Sequence, residues 1–361
     1  MKSSFVAGAA LAMSIAWCSG VSAQGLIEPA SLSQCFLKQS PGTPMVQRKA
    51  KPGPYKIAFS NSYYGNNWRT EMLNITRAYV KQPEVAKYLA KFEIQNSGND
   101  VAQEVAQIRQ MILGGYDAIV VDGASPSGLD SVINQAVRQG ILVVAFDNTV
   151  TTHAAININE NQYEMGRMWA AFLAKQTGGK GKILMVRGLA GTTVDNDQGD
   201  GGLAVFKKYP AISTVQVYGN WDVGVNQKVT ADALATNHDI AGVWATEGAT
   251  GALQAFLQVN APLVPMTSES DNGFMMLAVQ HKIPALVIGQ SPALVATAIR
   301  AAIAVLAGQA VPRDANIPLN PVTTDEMKAG VNYFPNLPNS FVTNISIPQC
   351  NVSIPVDDVV K

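Results

Sequence analysis

From Lys56 to Leu306 the chain alternates short β-rich runs with amphipathic helical runs, and that rhythm leaves few folds open. Residues 56–60 read as a first strand, with a helix expected over 68–80 and a second strand over 92–95. Asn99 or Asp100 can cap a helix carrying Val101, Val105, Ile108, Met111 and Ile112, which stops at Gly114-Gly115. Residues 117–121 are almost continuously apolar, as in a parallel strand covered on both faces. A helix over 128–138 and a strand over 141–146 complete this series. The rhythm then restarts, with helices predicted over 162–175, 202–208, 225–236, 249–259, 272–281 and 293–306. Strands are predicted between them over 182–186, 214–218, 240–245, 262–267 and 285–289. Such alternation predicts doubly wound parallel sheets, and two series in succession predict two α/β domains. A length of 361 residues agrees with two packed domains.

The first residues predict export. Lys2 supplies a positive start, residues 5–17 form an apolar run, and Val21-Ser22-Ala23 places small side chains before Gln24. This is the pattern of a secretory signal peptide over 1–23, cleaved after Ala23. The apolar run is shorter than the roughly 20 residues a bilayer span needs. Cleavage would remove Cys18 and leave Cys35 and Cys350, at opposite ends of the chain, in an oxidising compartment. A Cys35–Cys350 disulfide is therefore expected. Basic and acidic residues balance at 26 each, so nothing favours phosphate neutralisation or a nucleic-acid partner. Three Cys and three His are too few for a zinc cluster, and no metal or cofactor is expected.

Ligands of doubly wound sheets bind outside the carboxyl ends of the strands. Here those ends carry Ser60-Asn61, Asp122, Asp147-Asn148, Gly188, Asn220-Trp221, Thr246-Glu247, Ser268-Glu269 and Gln290. Each alone is more often a helix cap or a turn former. Together, strand end after strand end, they predict a polar site with aromatic walls.

The segments Lys56-Ile-Ala-Phe-Ser-Asn-Ser-Tyr-Tyr-Gly-Asn-Asn-Trp-Arg69, Tyr116-Asp-Ala-Ile-Val-Val-Asp-Gly-Ala124 and Leu142-Val-Val-Ala-Phe-Asp147 carry a resemblance. Gly188-Leu-Ala-Gly-Thr192, Gly242-Val-Trp-Ala-Thr246, Glu269-Ser-Asp-Asn-Gly-Phe274 and Gly289-Gln-Ser-Pro292 extend it. With them the chain resembles the type I periplasmic sugar-binding proteins, of which the ribose- and galactofuranose-binding proteins are close relatives. The resemblance implies two Rossmann-like domains joined by a three-crossing hinge near 148–157, 289–292 and 317–321. It places 55–157 with 291–318 in one domain and 158–290 with 319–340 in the other, leaving 24–54 as an N-terminal extension and 341–361 as a tail. It further implies a monomer in the periplasm that captures a sugar or polyol in the interdomain cleft and delivers it to an inner-membrane ABC permease.

Carried over by position, the resemblance implies a ligand site of Asn66, Trp68, Arg69, Asp122, Asp147 and Asn148 from the first domain. Gln198, Trp221, Glu247, Glu269 and Gln290 would complete it from the second domain and the hinge. Indole faces can cover the C–H faces of a sugar while carboxylates and amides take its hydroxyls. The ribose-like pattern has Arg at 148, Arg at 198 and Asn at 247, so this cleft has fewer cations and one more carboxylate. A glycoside-acting enzyme is the rival reading, with Asp122, Asp147, Glu247 and Glu269 as possible acid and nucleophile. No Gly-x-Ser-x-Gly, Walker or His-Glu-x-x-His motif supports catalysis. A chemoreceptor-presenting role is compatible with transport. The tail over 341–354 alternates β-type residues around Cys350 and is expected to add an edge strand.

Overall fold

The computed structural model describes residues 25–63 and 65–360. The expected signal peptide lies outside the described residues. No helix among the described residues is long and apolar enough to cross a membrane.

Two separate sheets form, one from each β–α series. The first runs Leu37–Lys38, Asp314–Ile317, Ile156–Glu160, Leu142–Phe146, Ala118–Asp122, Tyr55–Asn61, Leu89–Asn96, parallel except for the first pair. The second runs Pro321–Thr323, Ala285–Ile288, Met266–Ser268, Ile240–Ala245, Lys180–Arg187, Ala211–Tyr218, with only Pro321–Thr323 antiparallel. In each sheet the first long strand of the series lies between the second and the third. That reversal is the switch point at which doubly wound sheets bind ligands.

Alternate strand residues face opposite ways, and both faces of each sheet are covered. In the first sheet Ile57, Phe59, Val120 and Val144 pack with the helices Asn67–Tyr79 and Leu294–Leu306. Ala58, Ile119, Val121 and Val143 pack with Val101–Leu113 and Asp130–Arg138 on the other face. In the second sheet Leu184, Val243 and Val287 meet the helices Val223–Thr236, Ala249–Gln258 and Asn272–His281. Ile183, Met185 and Trp244 meet Gln162–Gln176 and Thr193–Phe206.

Three expectations change. The boundary placed at 157/158 falls inside the strand Ile156–Glu160 of the first sheet, so the chain crosses after Glu160. The alternation of Ile156, Ile158 and Glu160 inward with half-buried Asn157 and Asn159 hid this strand among polar residues. The helix expected over 202–208 starts at Thr193, capped by the Thr192 side chain, and Gly199, Gly201 and Gly202 lie inside it. Those glycines disfavour a helix by themselves, but close packing demands them. A Cβ on Gly201 would overlap the Tyr163 carbonyl, and one on Gly166 would overlap the Gln198 carbonyl. The two helices therefore meet backbone to backbone.

The third change concerns the tail, which adds no edge strand; the sheet edge is taken by Leu37–Lys38. The tail crosses from the second lobe to the first instead. Thr343 N donates to the Ser270 carbonyl (2.9 Å), and Val342 N donates to Glu71 Oε1 (2.9 Å). The structure joins Cys35 to Cys350, closing a separation of 315 residues. Arg300, fully buried on Leu294–Leu306, donates to the carbonyls of Leu26 (2.6 Å) and Cys350 (2.6 Å) and to Ser31 Oγ (2.5 Å). This guanidinium, which forms no ion pair among the described residues, thus fastens the segments around Leu26 and Cys350 to the first lobe.

Two outcomes are expected. Thiol titration of the denatured, unreduced protein lacking residues 1–23 should find no free thiol, and Cys350→Ser should lower stability by about 2–5 kcal/mol; two free thiols in the parent would exclude the bond. Gly201→Ala should lower it by about 1–3 kcal/mol by forcing the two helices apart, and denaturant unfolding at the parent midpoint would contradict the close packing.

Candidate functional site

The site begins with one helix start. Asn66 caps Asn67–Tyr79, its Oδ1 accepting from Arg69 N at 2.9 Å. That cap fixes the first turn, and Trp68 and Arg69 both lie buried on it. The Arg69 guanidinium pairs with Asp122 through Nη1 and with Asp147 through Nη2 (2.9 Å), linking the helix to two strand ends. The guanidinium lies 5.1 Å from the Trp68 ring centroid. Asp147 sits at φ 56° and Trp221 at φ 58°, in the left-handed region that non-glycine residues avoid. Such conformations cost energy and persist where the surroundings enforce them, often at functional sites. The indole of Trp221 lies against Gly188, where any Cβ would overlap it.

Asn66, Trp68, Arg69, Asp147, Trp221, Glu247, Glu269 and Gln290 line one cavity between the lobes, together with Val194. The other three expected residues lie outside its lining. Asp122 is buried under Arg69. Asn148 donates through Nδ2 to Asp147 Oδ2 (2.8 Å) and Asp122 Oδ1 (3.4 Å). Gln198 donates through Nε2 to Glu269 Oε1 (3.1 Å) and Gln162 Oε1 (2.8 Å). These three orient the carboxylates that do reach the cavity. Sequence reasoning missed Val194 because its helix was placed too late. It also missed Glu160, a buried carboxylate at the crossing that accepts from Ser291 N at 3.4 Å; the unrecognised strand before it was the lost signal.

The lobes touch across the cleft. Asn66 Nδ2 donates to Glu247 Oε2 (3.2 Å), Trp68 Nε1 to the Gln290 carbonyl (3.0 Å), and Gln290 Nε2 to Asp147 Oδ1. The cavity volume is about 20 Å³, room for about one water molecule. A larger cavity of about 370 Å³ opens at the amino ends of the second sheet, lined by Ala231, Leu234, Phe256 and Pro262. It lacks the convergent charged groups and lies away from the switch point.

Buried acids dominate the electrostatics. Burial pushes Glu269 up to about 8, opposed by the Gln198 hydrogen bond and reinforced by Asp271 and Asp147. Burial likewise raises Glu71 to about 8 and Glu104 and Asp271 to about 7. Glu247 and Glu160 rise for the same reason, each further raised by Glu269. Arg69 is lowered by burial and held up by Asp147 and Glu247.

The scan against family models matches residues 57–310 to the periplasmic binding protein domain. The chain is 24% identical over 235 residues to the ribose import binding protein of Haemophilus influenzae, covering 64% of this chain and 79% of that one. It is 27% identical over 183 residues to the xylitol-binding protein of Mycolicibacterium smegmatis, covering 47% of this chain and 50% of that protein. Among solved structures, an ABC transporter solute binding protein from Thermobispora bispora superposes with a TM-score of 0.69 at 27% identity, covering 74% of this chain and 84% of that one.

The raised carboxyls carry a stability signature. A carboxyl whose folded value exceeds its unfolded one binds its proton more tightly when folded. Its contribution is complete below the unfolded value of 4.5 and is lost as pH rises through the folded values near 7 and 8. The ligand-free protein is therefore expected to unfold at a lower temperature at about pH 8 than at about pH 5. A melting temperature that rises over that interval, followed by calorimetry, would show these groups to be ionised at little cost.

Proposed function

The chain belongs to the periplasmic binding protein family, and from that premise we propose that it is an exported receptor that captures a sugar or polyol and delivers it to an ABC permease. The observation that carries this reading is the convergence of Asn66, Trp68, Arg69, Asp147, Trp221, Glu247, Glu269 and Gln290 from both lobes on one cavity. Two indoles offer apolar faces, and carboxylates and amides offer hydroxyl acceptors and donors. The relatives named for ribose and xylitol support the ligand class. A cavity of about 20 Å³ admits no monosaccharide, so the lobes part to load and close on the ligand about the crossings after Glu160, near Gln290 and near Leu319.

We read the carboxylates as binding groups rather than a catalytic pair. Asp147 is ion-paired to Arg69, and Glu247 and Glu269 follow neighbouring strands of one sheet. In this reading the protein works as a monomer in the periplasm.

The test is thermal-shift screening of the protein lacking residues 1–23 against sugars and polyols. A ligand at 100 times its Kd should add about 2.7 kcal/mol of stability. Trp68→Ala and Asp147→Asn should each weaken the best hit by about tenfold to a hundredfold in calorimetry, with circular dichroism unchanged. Affinities within about threefold of the parent for both variants would place the site elsewhere.

A further inference from the structure

The charge balance of the cavity narrows the ligand, resting on the reading just given. Three carboxylates line it, Asp147, Glu247 and Glu269, and Arg69 is the one cation among the lining residues. Both terminal nitrogens of Arg69 are already engaged, Nη1 with Asp122 and Nη2 with Asp147. Arg187, at the end of its strand in the second sheet, is held by Asp195 at 2.9 Å and does not line the cavity. Asp122 and Asp147 thus share one counter-charge, whereas Glu247 and Glu269 meet none. Glu247 accepts from the Asn66 amide and Glu269 from the Gln198 amide, and neither has an ion pair among the described residues.

Two like charges in one water-poor cavity are compensated either by protons or by a bound cation. Glu269, only 4% exposed, shares the cavity wall with the rings of Trp68 and Trp221 and with Val194. Indole faces attract cations as well as C–H faces. A polyol hydroxyl brings no charge, so with such a ligand the compensation falls to protons on Glu247 and Glu269. An ammonium offers three N–H donors and the missing charge in one group.

We propose that the captured solute is a polyol bearing a protonated amine, an amino sugar or amino alcohol whose ammonium is held by Glu247 and Glu269 while Asp147, Arg69 and Gln290 take its hydroxyls.

Matched pairs test the idea: D-glucosamine against D-glucose, D-galactosamine against D-galactose, serinol against glycerol, and 1-amino-1-deoxy-D-sorbitol against D-sorbitol, with N-acetyl-D-glucosamine as a charge-masked control. At neutral pH at least one amine should bind about tenfold or more tightly than its hydroxyl partner in calorimetry. That advantage should fall about tenfold in Glu247→Gln and in Glu269→Gln, two separate variants whose folding circular dichroism checks. As a measurement that needs no variant, affinity of the parent for the amine should rise between about pH 5.5 and 7.5, as carboxylates ionise. Hydroxyl compounds binding as well as or better than their amines would overturn the charge inference and leave the sugar-and-polyol reading standing. No response to any compound of either kind would overturn that reading and the inference with it.

Discussion

The cleft is organised around one buried cation. Moving a guanidinium out of water costs several kcal/mol unless good partners replace the solvent. Arg69 is placed by the capped first turn of its helix and meets Asp122 and Asp147 from two adjacent strands of the first sheet. Removing it would leave two carboxylates buried without a counter-charge, which is the costly way to break such a cluster. Asn61 and Asn148 complete the arrangement, Asn61 Oδ1 accepting from Arg69 Nη1 at 3.4 Å and Asn148 donating to both aspartates. The first lobe therefore presents an ion-paired wall. Among the described residues Glu247 and Glu269 of the second lobe are hydrogen-bonded by the Asn66 and Gln198 amides and have no ion pair.

That asymmetry suits the opening and closing proposed above. Each sheet is covered on both faces by its own helices, so parting the lobes would leave their cores intact. Among the described residues the lobes meet at the cleft through hydrogen bonds that include Asn66 to Glu247, Trp68 to Gln290, Gln290 to Asp147 and Thr193 Oγ1 to the Thr149 carbonyl. Bonds of this kind contribute about 0.5–1.5 kcal/mol each, a sum that a bound ligand can readily exceed. The tail makes a further passage between the lobes. Asn344 Nδ2 donates to the Gly289 carbonyl (3.0 Å) on one side, while Cys350 is bonded to Cys35 and held by Arg300 on the other. The segments around Cys35 and Cys350 are thereby part of the first lobe's core.

Much of this was legible in the sequence because it is periodic. Two α/β domains follow from the β–α alternation, and the apolar runs at 118–121 and 142–146 mark strands covered on both faces. The polar strand ends pointed to Asp147, Trp221, Glu247, Glu269 and Gln290, the resemblance added Asn66, Trp68 and Arg69, and the fold brings these eight to one cavity. Where sequence reading failed, local preference and tertiary need pulled apart. Gly199, Gly201 and Gly202 argue against a helix locally, yet the helix Thr193–Phe206 runs through them because Gly201 and Gly166 let two backbones touch. Polar Asn157 and Asn159 masked the strand Ile156–Glu160, and with it the true crossing and the buried Glu160.

The sequence by itself determined the fold class, the placement of polar and aromatic groups at strand ends, and the scarcity of cations among them, since these depend on residue type and spacing alone. Only the tertiary structure decided which carboxylates are neutralised. Arg69 reaches Asp122 and Asp147, at sequence separations no local pattern reports, and leaves Glu247 and Glu269 to amides. It likewise decided that the tail crosses between lobes instead of extending a sheet. A sheet edge would have used the tail's N–H and C=O groups, but in the fold Glu71 and the Ser270 carbonyl accept the N–H groups of Val342 and Thr343 while Arg300 donates to the Cys350 carbonyl.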